Sequence, residues 1–238
     1  MKSQKITNVG RTERKRRYDD GCAVAQVMDI IGERWALMVI RELMFAPRRF
    51  GDLKAALPGI SANVLTQRLE GLEAAGVVER RKLPPPASVQ VYALTPWGLE
   101  SEPLFRVIGR WAARSPYLTP GFMSVASIIL SMRTMFSPEK AAGVKAMIGF
   151  EFGHESFIAR ITKGVLLIEP GETSGADAIF ICDQNILAQA LYVGVPLDQL
   201  EAQGALEITG NRTLAEQYIT LFPLPEPAPS GKSTRQDR

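Results

Sequence analysis

Apolar positions at Val24, Val27, Met28 and Ile31 are spaced by three and four residues. That spacing predicts a helix over about 21–31, with Asp19 or Asp20 as its cap. The stripe Trp35, Met38, Val39, Glu42 and Leu43 predicts a second helix over 34–45, stopping before Pro47. A short third helix over 50–57 closes at Pro58-Gly59, a turn signal. Ser61 then caps a fourth helix that runs to about residue 75 and ends at Gly76. If Leu65 faces the core, Leu69 and Leu72 share its face at about 100° per residue. Asn63, Gln67 and Glu70 fall opposite, Thr66 lies on the flank, and Arg68 lies nearer the core edge than Gln67.

The period then changes. Residues 77–83 and 89–94 read as two strands, separated by PPPAS, where three consecutive prolines predict a stiff projecting loop. Pro96, preceded by Thr95 as cap, opens a long helix to about residue 114. Four helices, strand, loop, strand, helix is the order of a helix-turn-helix with a β-hairpin wing.

The second half has another rhythm. An apolar helix over 122–136 carries Val125, Ile128, Ile129 and Met132. Strand-like runs follow at 144–152, 156–162, 165–169 and 176–182, with turn signals between them. A helix over 184–192, another after Pro196, a strand over 205–209 and a closing helix capped by Asn211 complete the pattern. The expected class is α+β: a winged helix-turn-helix followed by an α/β sandwich, with an antiparallel sheet of about five strands and helices on one face.

Charge sharpens this division. Residues 1–117 carry 19 Lys and Arg against 12 Asp and Glu, a net +7, whereas residues 118–238 carry 9 against 13, a net −4. A basic half joined to an acidic one predicts that only the first meets a polyanion. The run RTERKRRY marks residues 1–18 as a flexible basic arm, and the Pro-rich, polar stretch 223–238 as a disordered tail. The expected divisions are therefore 1–18, 19–117, 118–222 and 223–238.

A lone histidine, His154, argues against histidine triads and multi-histidine metal sites. Glu151, His154 and Glu155 cluster, but a polar turn explains them, so no catalytic set emerges and the chain reads as a non-enzyme with no metal or cofactor. Cys22 and Cys182 fall in different halves with no metal-ligand spacing, which predicts reduced thiols. No apolar run reaches the ~18 residues of a membrane span, and the N-terminus lacks a signal core. The expectation is a soluble, cytoplasmic protein.

The candidate chemistry lies around the fourth helix. A major groove admits one helix, and Asn and Gln pair bidentately with adenine. Ser61, Asn63, Thr66 and Gln67 are of the right types at the N-terminal end of that helix, with Arg68 beside them. Arg48 and Arg49 before the third helix, and Arg80, Arg81 and Lys82 on the wing, are candidates for phosphate or minor-groove contacts. Gln90, at the start of the returning strand, completes the candidate set.

The stretch CAVAQVMDIIGERWALMVIRELMFAPRRFGDLKAALPGISANVLTQRLEGLEAAGVVERR, followed by VYALTPWG, resembles the HxlR family of bacterial winged-helix transcriptional regulators. The resemblance covers about 20–113. It implies a MarR-like fold, a homodimer joined through the first helix and the helix near 96–114, a palindromic double-stranded DNA operator, and a recognition helix at 61–75. Many members carry Pro and a basic residue after the capping Ser, where this chain has Ala62 and Asn63. That departure favours a base contact over a phosphate contact at position 63. Some members sense oxidants through the Cys near the first helix, where Cys22 stands. A small residue packed at a dimer surface is the alternative.

From about 124 to 222, with ADAIFICDQNILAQAL and ALEITGNRTLAEQYITLF as its most specific parts, the chain resembles the sterol carrier protein type of lipid-binding domain. The resemblance implies an apolar tunnel between sheet and helices, with Ile128, Met132, Phe150, Phe152, Phe180, Leu187 and Leu191 as candidate liners and core packing as the alternative for each. The combined expectation is a dimeric DNA-binding regulator whose second half binds a small apolar effector. The alternatives are a lipid carrier, or a second half that only supports dimerisation.

Overall fold

The computed structural model describes residues 18–119 and 121–229. All of the expected basic arm but Tyr18, and residues 230–238 of the expected tail, lie outside the described residues.

The N-terminal half runs α1 (Ala23–Ile31), α2 (Ala36–Glu42), α3 (Phe50–Ala56), α4 (Ala62–Ala74), β1 (Val78–Lys82), β2 (Gln90–Leu94), α5 (Pro96–Leu99) and α6 (Glu102–Ala112). β1 and β2 pair antiparallel, Val78 opposite Leu94 and Lys82 opposite Gln90. On the other side of β2, Arg48 and Tyr92 exchange backbone hydrogen bonds of 2.9 and 2.8 Å, a one-residue third strand. Leu53, Leu65, Leu69 and Leu72 are buried in one cluster with Ile40 of α2 and Val78 of β1.

Local chemistry moves three boundaries from their expected places. The Asp20 carboxylate accepts from Cys22 N at 2.8 Å, so Cys22 stays extended and α1 begins at Ala23. Trp35 is left-handed at φ 78°, so α2 begins only at Ala36. The helix expected over 96–114 is two helices. Pro103 has no N–H and is tolerated only in a first turn, so the chain breaks at Glu100 and Ser101 and restarts as α6.

The C-terminal half runs α7 (Val125–Met135), β3 (Ala146–Phe152), β4 (Glu155–Thr162), β5 (Val165–Pro170), β6 (Ala178–Cys182), α8 (Gln184–Ala188), α9 (Leu197–Ala202), β7 (Leu206–Gly210) and α10 (Arg212–Ile219). A π-helical turn, Gln189–Val193, follows α8 and shortens the helix expected over 184–192. The five strands lie in the order β5-β4-β3-β6-β7. The sheet is mixed rather than antiparallel, because β6 pairs parallel to β3. After β5 the chain crosses back over one sheet face through residues 171–177 before entering β6. Gly149 makes that crossing possible: a Cβ there would stand 2.8 Å from the Thr173 side chain. The opposite face carries Ile148, Phe150 and Phe180, buried with Ile128 and Met132 of α7 and Tyr218 of α10.

Residues 223–229 also differ from a disordered tail. Arg114 Nε donates to Glu226 O at 3.2 Å, and Ala228 N donates to Arg114 O at 2.6 Å. The segment thus satisfies a carbonyl just past the end of α6, one of the groups a helix terminus leaves without partners. Among the described residues, no helix is long and apolar enough to cross a membrane.

Candidate nucleic-acid interface

The N-terminus of α4 is built by Ser61, whose Oγ accepts from Val64 N at 3.3 Å while its backbone stays extended. Leu65, Leu69 and Leu72 hold the inner face of the helix at 0–1% exposure. Ser61, Asn63, Thr66 and Gln67 are all exposed, and Asn63, Thr66 and Gln67 follow one another at spacings of three and one, on one side of the helix. Gly76, left-handed at φ 74°, ends the helix and turns the chain into the wing.

Arg68 does not join that face. Its guanidinium turns back to donate to Arg34 O and to Glu33, both at 2.9 Å, and ties α4 to the loop before α2. On the wing, Arg80 meets Glu73 at 3.0 Å and lies over the Tyr92 ring at 5.6 Å, and Arg81 pairs with Glu79 of its own strand. Both pairs are well exposed, and pairs of that kind contribute about 0–1 kcal/mol. A phosphate can displace carboxylates held so weakly. Lys82 and Gln90 stand opposite each other at the exposed end of the hairpin. Arg49, exposed, sits at the N-cap of α3.

Arg48 departs from the expected phosphate role. Its side chain, 15% exposed, forms a bidentate pair with Glu155 of the C-terminal half, at 3.2 and 2.6 Å, while Nε donates to Glu42 O at 2.9 Å. In this conformation its charge is spent inside the molecule. The sequence reading missed this junction, although Glu42, a carboxylate on an otherwise apolar stripe, was its signal. Glu42 is buried and its Oε1 accepts from Arg41 and from Ser124 Oγ, each at 2.7 Å.

The seven candidate pocket residues are brought together: Ile128, Met132, Phe150, Phe152, Phe180, Leu187 and Leu191 belong to one buried cluster. They pack on one another, with Phe150 stacked on Phe152 at 5.9 Å and on Phe180 at 5.6 Å. At its margin Ser131 Oγ donates to Tyr192 Oη at 2.7 Å, and burial pushes the Tyr192 hydroxyl above the ordinary range. An open cleft of about 360 Å³ lies elsewhere, at the β3–β4 turn, lined by Glu151, His154, Ser156, Glu172 and Thr173 among others. Cys22 is exposed at the N-cap of α1, and Cys182 is partly buried, its thiol pushed up to about 12 chiefly by desolvation and secondarily by the Asp183 carboxylate.

The HxlR-like helix-turn-helix family model matches residues 30–118. The chain is 34% identical over 98 residues to the uncharacterized HTH-type transcriptional regulator YvaP of Bacillus subtilis (strain 168), covering 41% of this chain and 89% of that protein. It is 35% identical over 83 residues to the HTH-type transcriptional regulator YodB of the same bacterium, covering 35% and 74%. The reduced form of the transcriptional regulator YodB from B. subtilis is a solved structure 31% identical to this chain, over 42% of it and 98% of that protein, with a TM-score of 0.37. With α4 and its wing inside the matched segment, the chain belongs to the HxlR-like helix-turn-helix family.

Proposed function

We propose that the chain is a sequence-specific, DNA-binding transcriptional regulator in which α4 enters the major groove of double-stranded DNA and the wing grips the flanking phosphates. The observation that carries this reading is the exposed row Ser61, Asn63, Thr66 and Gln67 at the capped N-terminus of α4, beside a hairpin bearing Arg80, Arg81 and Lys82. Family membership supports it. Asn63 and Gln67 read base edges; Arg49, Arg81 and Lys82 hold phosphate.

The active form in this reading is a homodimer on a palindromic operator. α1 has no buried residue, and Val24 is 67% exposed. α6 buries only Phe105, leaving Val107 at 70% and Trp111 at 78% exposure. Two helices with large apolar side chains in water favour a second copy as their cover.

The C-terminal half, from about residue 118, is proposed to sense a small apolar effector, in keeping with its resemblance to sterol carrier domains. The support is the π-helical turn Gln189–Val193 beside the buried apolar cluster, a form frequent at functional sites. A second half that only supports dimerisation is favoured instead by the close packing of Phe150 on its neighbours.

Selection of bound duplexes from a random pool tests the DNA reading. Wild type should enrich a palindrome, and Gln67→Ala should lose preference at one base position per half-site. Equal retention of all sequences would sink it. A thermal-shift screen of fatty acids and other apolar compounds tests the effector reading, since a ligand of the folded state raises the melting temperature.

A further inference from the structure

The two halves meet through a set of polar and aromatic contacts centred on the loop between α2 and α3. Phe45 packs edge-on against Phe157 of β4 at 5.6 Å. Arg133 of α7 lies over the Phe45 ring at 5.0 Å and pairs with Glu102 of α6 at 2.7 Å. Leu130 of α7 is buried in the N-terminal core. Arg48 is the one DNA candidate drawn into this junction. Its backbone is fixed to β2 by the two hydrogen bonds with Tyr92, so Arg48 stays with the N-terminal half when Glu155, its side-chain partner from the C-terminal half, moves away.

We propose that Glu155 is an intramolecular competitor for DNA phosphate: by clamping Arg48 it withholds one phosphate-binding cation from the helix-turn-helix, so that the placement of the C-terminal half controls DNA affinity. The inference rests on the DNA-binding reading above. Carboxylate and phosphate both take guanidinium in bidentate form, so one can replace the other at Arg48. The neighbouring Arg49 is already exposed at the start of α3, which places Arg48 one residue from a candidate phosphate contact.

The junction also carries a cost in its closed form. Glu42 is 1% exposed, and its Oε2 has no hydrogen-bond partner among the described residues. A buried carboxylate oxygen without a partner penalises the state that buries it. Opening the junction hydrates Glu42 and frees Arg48 together. The Ser124 hydroxyl, which caps α7 and donates to Glu42, links that opening to the first helix of the C-terminal half.

The test uses the full chain and a random-sequence DNA duplex pool, with affinity measured by fluorescence anisotropy across a salt series. Glu155→Gln should tighten binding several-fold and steepen the slope of log affinity against log salt by about 0.9, the value of one added phosphate contact. Arg48→Ala should leave the slope at its wild-type value, and the double variant should match Arg48→Ala. Ser156→Ala, one residue along the same strand, reports any general disturbance of the turn and should leave the slope unchanged. The proposal is overturned if Glu155→Gln leaves the slope unchanged or weakens binding. It is overturned equally if the steeper slope survives in the double variant or appears in Ser156→Ala. Absence of DNA binding by the wild type would overturn the DNA reading itself, and this inference with it.

Discussion

The two halves present their candidate chemistry in opposite ways. In the N-terminal half the side chains of interest are exposed and polar, on a helix whose other face is fully buried: Asn63 and Gln67 lie outside while Leu65 and Leu69 lie inside. In the C-terminal half the candidates are buried and apolar, indistinguishable by type from the residues that hold the fold. Water alone satisfies the polar face of a surface helix, so what singles out α4 is the position of Ser61, Asn63, Thr66 and Gln67 at its capped start, beside the basic hairpin, as the proposed DNA contact requires. Apolar groups inside a sheet-and-helix layer are already explained by packing. The contrast teaches that exposure with pattern is informative, whereas burial with pattern is ambiguous until a ligand is found.

The two cysteines give that contrast its largest expected effect. Burial and the Asp183 carboxylate push the Cys182 thiol up to about 12. At pH 8 only about one Cys182 thiol in ten thousand is then ionised, and the thiolate is the nucleophile. The sign follows: a raised pKa removes reactivity at neutral pH and returns it as pH climbs toward 12. Iodoacetamide on the native protein at pH 8 should label exposed Cys22 and leave Cys182 almost unlabelled. In denaturant both should label, and peptide mass spectrometry reads the two sites separately. Equal rates in the native protein would contradict the burial of Cys182.

Next in size is the core. Phe150 is 0% exposed and touches Phe152, Phe180 and Tyr218. Phe150→Ala should destabilise the protein by about 3–5 kcal/mol, measured by urea denaturation. If Phe150 instead borders a ligand space that stays open, the loss falls toward the lower end, because part of the ring then has no packing partner to lose. The magnitude therefore bears on the ambiguity of the C-terminal half.

Much of this architecture was legible in the sequence. Every strand and helix of the second half lies within a few residues of its expected place, because alternation, turn signals and the cap at Asn211 mark local structure locally. What local patterns do not carry is the parallel pairing of β6 with β3, which depends on a loop crossing at Gly149. The face of α4 was also legible, down to Arg68 lying nearer the core than Gln67. The fate of Arg48 was not. Its partner Glu155 lies 107 residues away in sequence, and an arginine about to meet a phosphate looks the same in a sequence as one about to meet a carboxylate.

The surface of α4 supplies the third test. Gln67→Ala should cost about 1–3 kcal/mol of discrimination at one base position. Because Gln67 is exposed, the melting temperature should hold. Arg81→Ala should weaken binding to all sequences alike and flatten the salt slope by about 0.9. Uniform, sequence-blind losses for both variants would mean that α4 does not read bases, and the informative surface of the first half would become as ambiguous as the core of the second.

The smallest expected effect falls on the cap that aims this surface. Ser61 Oγ accepts from Val64 N and satisfies one of the donors that the start of α4 leaves open. Ser61→Ala removes that bond and should destabilise the fold by about 1 kcal/mol. Asp restores an acceptor at the same place, so Ser61→Asp should recover the stability. The two substitutions part company on DNA. Ser61 stands at the helix end that faces phosphate in the proposed complex, where the N-terminal dipole favours an anion. A carboxylate fixed there occupies that field and repels the phosphate. Ser61→Asp should therefore melt like wild type yet bind DNA more weakly than Ser61→Ala, as thermal denaturation and anisotropy on the same samples would record. If Ser61→Asp recovered both stability and affinity, the N-terminus of α4 would lie away from the DNA, and the exposed row beginning at Ser61 would need another partner.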